Sequence, residues 1–251
     1  MKYGIKILVI ALTGLLLSAT AGAQGDSPRL TVVELFTSQG CSSCPPADAT
    51  LKSLRDRPGI LTLSWPVHYW DRLGWEDTFA HPHNAMRQTA YNKRLGRGGV
   101  FTPQMILDGN LQCVGSKPEK VRNSVEKARA TERQDLMFDL SETPDGNLLL
   151  SLPETKIEGM VSVRIVWYLA DAEVQIGDGE NRGRVLHYTN VVRASDVAFD
   201  WKGDARTLTL KTADGLAAGA DHVAILLQDE YGHGPIVGAS SMALPAAQSG
   251  R

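Results

Sequence analysis

Three cysteines among 251 residues is a small allowance, and it constrains the chain at once. A scaffold stapled by disulfides needs a dense, even set, so this fold must rest on a hydrophobic core, for which 43% apolar content is ample. Structural zinc is disfavoured for a related reason: Cys41 and Cys44 form one CxxC pair, but no second CxxC or His pair completes a tetrahedral set, and Cys113 stands alone. Basic excess is missing as well. A net charge of -2 and a pI near 6.3 give no electrostatic footprint for nucleic acid or an anionic membrane surface. Beyond residue 23 there is no apolar run long enough to span a bilayer. The Gly177–Gly183 segment has too few carboxylates, in the wrong order, for a calcium loop.

The N-terminus carries an export signal. Lys2 and Lys6 flank the start of an apolar run from Ile7 to Leu17, and Ala21-Gly22-Ala23 supplies a small-x-small cleavage site, so residues 1–23 read as a secretory signal peptide. An uncleaved anchor is the alternative. Cleavage after Ala23 predicts a periplasmic or secreted protein with no membrane attachment, where disulfides persist and CxxC chemistry is at home.

The apolar run Thr31 to Phe36 predicts a buried strand, and Cys41-Ser42-Ser43-Cys44 follows it directly. Pro45 and Pro46 suit a first helical turn, which places the dithiol at a helix N-terminus and predicts a helix to about Arg57. Unpaired backbone N–H groups there favour a thiolate, the reactive form of cysteine. Two intervening residues let one sulfur attack a disulfide and the other resolve the mixed disulfide. Glu34 shares a strand face with Val32 and Phe36, which predicts an ionisable group beneath the dithiol. Cys113, between Leu111 and Val114, is either a buried small hydrophobe or the partner for a second redox step.

Further along, Ile60 to Trp65 predicts a second strand. The aromatic and polar stretch from Pro66 to Trp75 is either a loop capping the core or a wall that touches substrate. A helix is expected from His83 to Leu95, then a strand from Val100 to Leu107 interrupted by Pro103, an Asp108-Gly109 turn, and a returning strand from Leu111 to Val114. Ser116 to Glu119 fits a capping box opening a helix to about Thr131. Past a linker near 132–135 the texture changes to six or more short strands with no convincing helix, which predicts a β-rich, sandwich-like antiparallel domain over 133–245 and a disordered tail at 246–251. Gly177–Gly183 is a hairpin loop, or a cover folding over the dithiol. His187, His222 and His233 are scattered and structural. His81-Pro82-His83 is a cap or surface feature rather than a chelate.

Taken together, CxxC after a central strand and Thr102-Pro103 ahead of a hairpin and helix resemble a thioredoxin fold over 24–132. More narrowly, the strings Val33 to Asp48, Tyr69-Trp70-Asp71 with Gly74-Trp75, Thr102-Pro103-Gln104 and Gly179-Glu180-Asn181 are similar to those of a family of secreted bacterial proteins known as domain of unknown function 1223. The chain departs from that family at Pro66 and His68, where His and Asp are expected. The resemblance implies that Cys41 attacks, Cys44 resolves, Thr102 and a cis-Pro103 contact substrate backbone, and Glu34 relays a proton to Cys44. It implies no cofactor and, as partners, exported protein or small-molecule thiols and disulfides. Two other readings stay open: an exported protein holding Cu(I) on the two thiols, with a histidine from 68–83 as third ligand, and a binding module whose CxxC is a structural disulfide.

Overall fold

The structure, a computed structural model, describes residues 29–245. The expected signal segment, the residues just after it and the expected tail at 246–251 lie outside the described residues. Among those described, no helix is long and apolar enough to cross a membrane.

Every residue of β1 (Thr31–Thr37) is buried, because helices cover both faces of the sheet around it. Successive side chains on a strand alternate between faces. Val33 and Leu35 meet Ala47, Leu51 and Leu54 of α1 (Pro45–Arg55) and Val121 and Val125 of α3 (Pro118–Ala130). Val32 and Phe36 point the other way, toward Trp65 of β2 (Ile60–Pro66) and Tyr91 of α2 (Pro82–Arg94). Full burial of a leucine stabilises by roughly 1.5–3 kcal/mol, so Leu51 and Leu54 fix the helix that carries the dithiol.

β1 pairs in parallel with β2 and antiparallel with β3 (Gln104–Leu107). β3 then forms a hairpin with β4 (Leu111–Val114), turning through Asp108 and Gly109 at φ of 47° and 66° as an Asp-Gly pair favours. Two expectations change here. The strand anticipated from Val100 begins only at Gln104, since Pro103 has no N–H to give a ladder. The capping box does not form: Lys117 occupies the N-cap of α3 and no side chain caps it.

The second half is not a self-contained sandwich without helices. Its long strands β7 (Val161–Gln175) and β8 (Val185–Trp201), with β10 (His222–Gln228) and β11 (Ile236–Ala243), continue the first half's sheet in the order β11-β10-β7-β8-β2-β1-β3-β4. The join is one parallel bridge, Ser64 opposite Val191. A separate three-stranded sheet, β5 (Asp139–Glu142), β6 (Leu148–Leu152) and β9 (Arg206–Leu210) in the order β5-β6-β9, lays Leu148 and Leu150 against Val163, Val223 and Ile225. A short helix, α4 (Thr212–Ala217), and a left-handed turn over Asp229–Gly232, with Glu230 and Tyr231 at φ of 50° and 57°, complete a mixed α+β architecture. The physical reason for the merger lies in β8: Tyr188 to Val192 is buried residue after residue, as suits a strand paired on both edges rather than one with a wet face.

Candidate dithiol site

Cys44 is the N-cap of α1, and its carbonyl accepts from the N–H groups of Ala47 (2.7 Å) and Asp48 (3.1 Å). Pro45 and Pro46 fill the first helical positions, so the first turn lacks two of the N–H donors that a helix N-terminus ordinarily offers an anion. Side chains replace them. The Cys41 thiol is lowered from near 9 to about 6, above all by a hydrogen bond from the Cys44 thiol, with Ser43 and Thr102 adding to it against the opposing effect of burial. Cys41 Sγ lies 3.3 Å from the Ser43 hydroxyl. Cys44 moves the opposite way: burial, and then the neighbouring Cys41, push its thiol far up. One sulfur is therefore ready to be a thiolate and the other holds its proton. Both are unpaired thiols with 1% and 0% exposure.

Three loops enclose the pair. In the first, Trp70 donates its indole N–H to the Thr102 hydroxyl oxygen at 2.7 Å. That leaves the Thr102 proton free to point at the thiols, both of which it favours as anions. Thr102–Pro103 itself is a cis peptide. In the second loop, the Trp75 indole donates to Gln39 Oε1 (2.8 Å), and Asp77 Oδ2 accepts from the Gln39 N–H (2.8 Å). The aromatic stretch thus both packs and holds the cysteine loop.

The third loop comes from the far half of the chain. Gly177–Gly183 turns between β7 and β8, so the hairpin expectation holds, and it also reaches across to the dithiol. Asn181, fully buried, donates its amide to the carbonyls of Gln39 (2.9 Å) and Cys41 (3.0 Å). Glu180 accepts from the Ser42 N–H at 2.9 Å. Gly177 permits the approach, since a Cβ there would sit 2.7 Å from the Trp75 ring.

Glu34 is not beneath the dithiol. The pleat of β1 sends it to the α2 side, opposite Val33 and Leu35, where both carboxylate oxygens are held: Arg87 Nε donates at 2.8 Å and the Tyr91 hydroxyl at 2.5 Å. The acid near the thiols is Asp48, one helical turn after Cys44. It is 7% exposed, one of its oxygens has no hydrogen-bond partner, and burial raises its pKa well above the usual carboxylate range, with Cys41 adding to the rise. Asp77, also buried, is raised to about 6 chiefly by desolvation. Tyr188 of β8 completes the group, its hydroxyl buried without a partner and its ionisation opposed first by burial and then by Asp48, Asp77 and the thiols. Asp48 was detectable as the residue four past Cys44 on one helix face, and Asn181 only through its loop as a cover over the dithiol; Asp77 and Tyr188 carry no sequence signal that ties them to it.

Cys113 packs with Leu51, Met105 and Val121 under α1 and α3, and burial raises its thiol. His81 is the N-cap of α2, its Nδ1 accepting from the His83 N–H at 3.3 Å. Among the described residues no group of three or more His, Cys, Asp and Glu side chains is arranged to hold a metal ion.

A mixed eight-stranded sheet with a buried, asymmetric dithiol at the start of its first helix defines the class of molecule. The chain belongs to the family described as Protein of unknown function (DUF1223), whose model matches residues 32–228. It is similar to the crystal structure of a protein from Agrobacterium tumefaciens, at 29% identity and a TM-score of 0.74, over 89% of this chain and 98% of that one. HBP35 of Porphyromonas gingivalis shares the fold at 16% identity and a TM-score of 0.56, over 91% of this chain and 80% of that one. No curated protein matches.

Proposed function

We propose that this protein is an exported thiol–disulfide oxidoreductase, with Cys41 as attacking thiol and Cys44 as resolving thiol on a thioredoxin-like half, 24–132, to which the β-rich half, 133–245, is joined. The observation that carries this reading is the asymmetry of the pair: a thiol lowered to about 6 and, hydrogen-bonded to it, a buried thiol pushed up. Thr102 and Pro103 line the approach to Cys41 and serve as the substrate-contacting loop. The thioredoxin-like reading is supported by the order β1, dithiol, α1 and by that loop's place ahead of the β3–β4 hairpin. Export is supported by the signal at 1–23.

In the reducing direction the Cys41 thiolate attacks a disulfide sulfur, the first substrate sulfur leaves as a thiolate, and a mixed disulfide remains. Cys44 then loses its proton and attacks Cys41 Sγ, which expels the second substrate thiolate and leaves a Cys41–Cys44 disulfide. Asp48, with a free oxygen and a pKa raised by burial well above the usual carboxylate range, is the group placed to take that proton in the role expected of Glu34. Cys44→Ser should trap mixed disulfides that dithiothreitol releases, while Cys41→Ser should trap none and abolish insulin reduction. Wild-type protein that neither reduces a test disulfide nor oxidises a test dithiol would remove the enzyme reading and leave a structural pair.

A further inference from the structure

Beside the dithiol lies a groove that the reaction above does not use. It is a cavity of about 290 Å³ between the outer face of α1 and the start of β8, lined by Pro45, Asp48 and Lys52 from the helix, by Arg184 just ahead of the strand and by Leu186 and His187 from the strand. One end of the groove is Pro45, the residue after Cys44, so it starts at the helix turn that carries the resolving cysteine, though neither sulfur lines it. Its floor is Leu186, 5% exposed. Its inner wall is Asp48, more than nine-tenths buried and with one oxygen unpartnered.

The charges around this groove are unbalanced. His187 is paired with Glu173 at 3.2 Å. Lys52 and Arg184, by contrast, have no acidic partner within salt-bridge distance among the described residues, and the Arg184 guanidinium makes one hydrogen bond, 2.8 Å to Asn181 Oδ1. Burial opposes charge on Asp48 and raises its pKa. Two free cations over an apolar floor form a receptor for a carboxylate on a short aliphatic stem. The dithiol itself is recessed: Cys41 is 1% exposed beneath loops held by Trp75, Asn181 and Glu180. A broad protein surface meets those loops before it meets the sulfur, which favours a small substrate.

We infer that the groove between α1 and β8 binds the carboxylate of a small anionic disulfide, making low-molecular-weight disulfides that bear carboxylates the preferred substrates of the dithiol. This rests on the oxidoreductase reading of the same site. The reaction balances without a further partner: one such disulfide takes two electrons from the Cys41–Cys44 dithiol, leaving as two thiols, and the protein is left with one disulfide.

The test is a charge series. Reduced full-length mature protein is reacted with dithiodipropionate, hydroxyethyl disulfide and cystamine, respectively anionic, neutral and cationic, and each rate is divided by that of dithiothreitol with the same disulfide. The anionic disulfide should be favoured over the cationic one by roughly tenfold at low salt, shrinking as ionic strength rises. Lys52→Glu should bring that ratio to unity or invert it, and Arg184→Glu should act in the same direction. Lys52→Gln, which adds no new charge, should give an intermediate ratio. Equal normalised rates across the series, or a ratio that the three variants leave in place, would overturn the groove as a carboxylate site while the oxidoreductase reading stands. Failure of all three disulfides to react would overturn both.

Discussion

Two buried polar clusters lie on opposite faces of β1, and they are built by opposite rules. On the α2 face, Glu34, Arg87, Tyr91 and Gln228 satisfy one another: Arg87 spans from Glu34 Oε1 (2.8 Å) to Gln228 Oε1 (3.0 Å) and the Gly232 carbonyl (3.1 Å), and Tyr91 accepts from Gln228 at 2.7 Å. The guanidinium also lies over the Trp65 ring, 5.0 Å from its centroid. On the α1 face, Asp48 and Tyr188 each keep an unpartnered buried oxygen beside two thiols of opposed acidity. A satisfied buried network fixes geometry, while orphaned and shifted groups mark where chemistry is done. Here the satisfied cluster stitches α2 to the far half through β10, and the unsatisfied one surrounds the sulfurs.

The contrast breaks first at Arg87. Arg87→Ala strands Glu34 as a buried uncompensated charge, and denaturant unfolding should show a loss of about 3–5 kcal/mol, while the folded fraction keeps its Cys41 alkylation midpoint. Next in size is Asp48→Asn. It should lengthen the life of a mixed disulfide on the order of a hundredfold, read by quenched-flow or mass spectrometry, without slowing the first attack to match. Its effect on stability has a definite sign: a carboxyl raised in the folded state costs stability as pH climbs past its unfolded value, so the variant should be the more stable protein at neutral pH.

A smaller effect is expected at Thr102. Cys41 alkylation in the wild type should rise through a midpoint near pH 6, and Thr102→Val, which removes the hydroxyl that Trp70 orients, should move that midpoint upward by about one unit. The lowered thiol also contributes stability to the reduced protein that grows from about pH 6 toward 9 and is lost as pH falls through 6; Cys41→Ser should flatten that rise. The smallest effect on chemistry belongs to Glu34→Gln, whose mixed-disulfide lifetime should stay within about twofold of wild type, since it shares no partner with the thiols. A slowing equal to that of Asp48→Asn would return the proton-relay role to Glu34.

Local features were legible in the sequence where one residue type dictates one geometry. Asp108-Gly109 announced its turn, Pro45 and Pro46 announced the start of α1, and the apolar stretch of β1 announced a central strand. Glu34 misled because period-two alternation says which residues share a face but not which helix that face meets. The merger of the two halves was hidden for a related reason. A bridge between Ser64 and Val191 leaves no local trace in either strand, and only the unbroken burial of Tyr188 to Val192 hinted at it. Asn181 was visible as part of a turn with a cover over the dithiol as its alternative reading, but nothing in the sequence marked its amide as the group that holds the Cys41 carbonyl.

That last contact sets an order of events during synthesis. Cys41 emerges from the ribosome well before its clamp, because Asn181 follows it by 140 positions. At ordinary elongation speeds the delay is on the order of ten seconds. Throughout that interval the nascent chain carries the CxxC without the hydrogen bonds that fix its loop and without the cover that recesses it. The enclosure of the dithiol is therefore a property the chain acquires late, when the β7–β8 hairpin has closed onto β2, and a truncated first half should present its sulfurs without that cover.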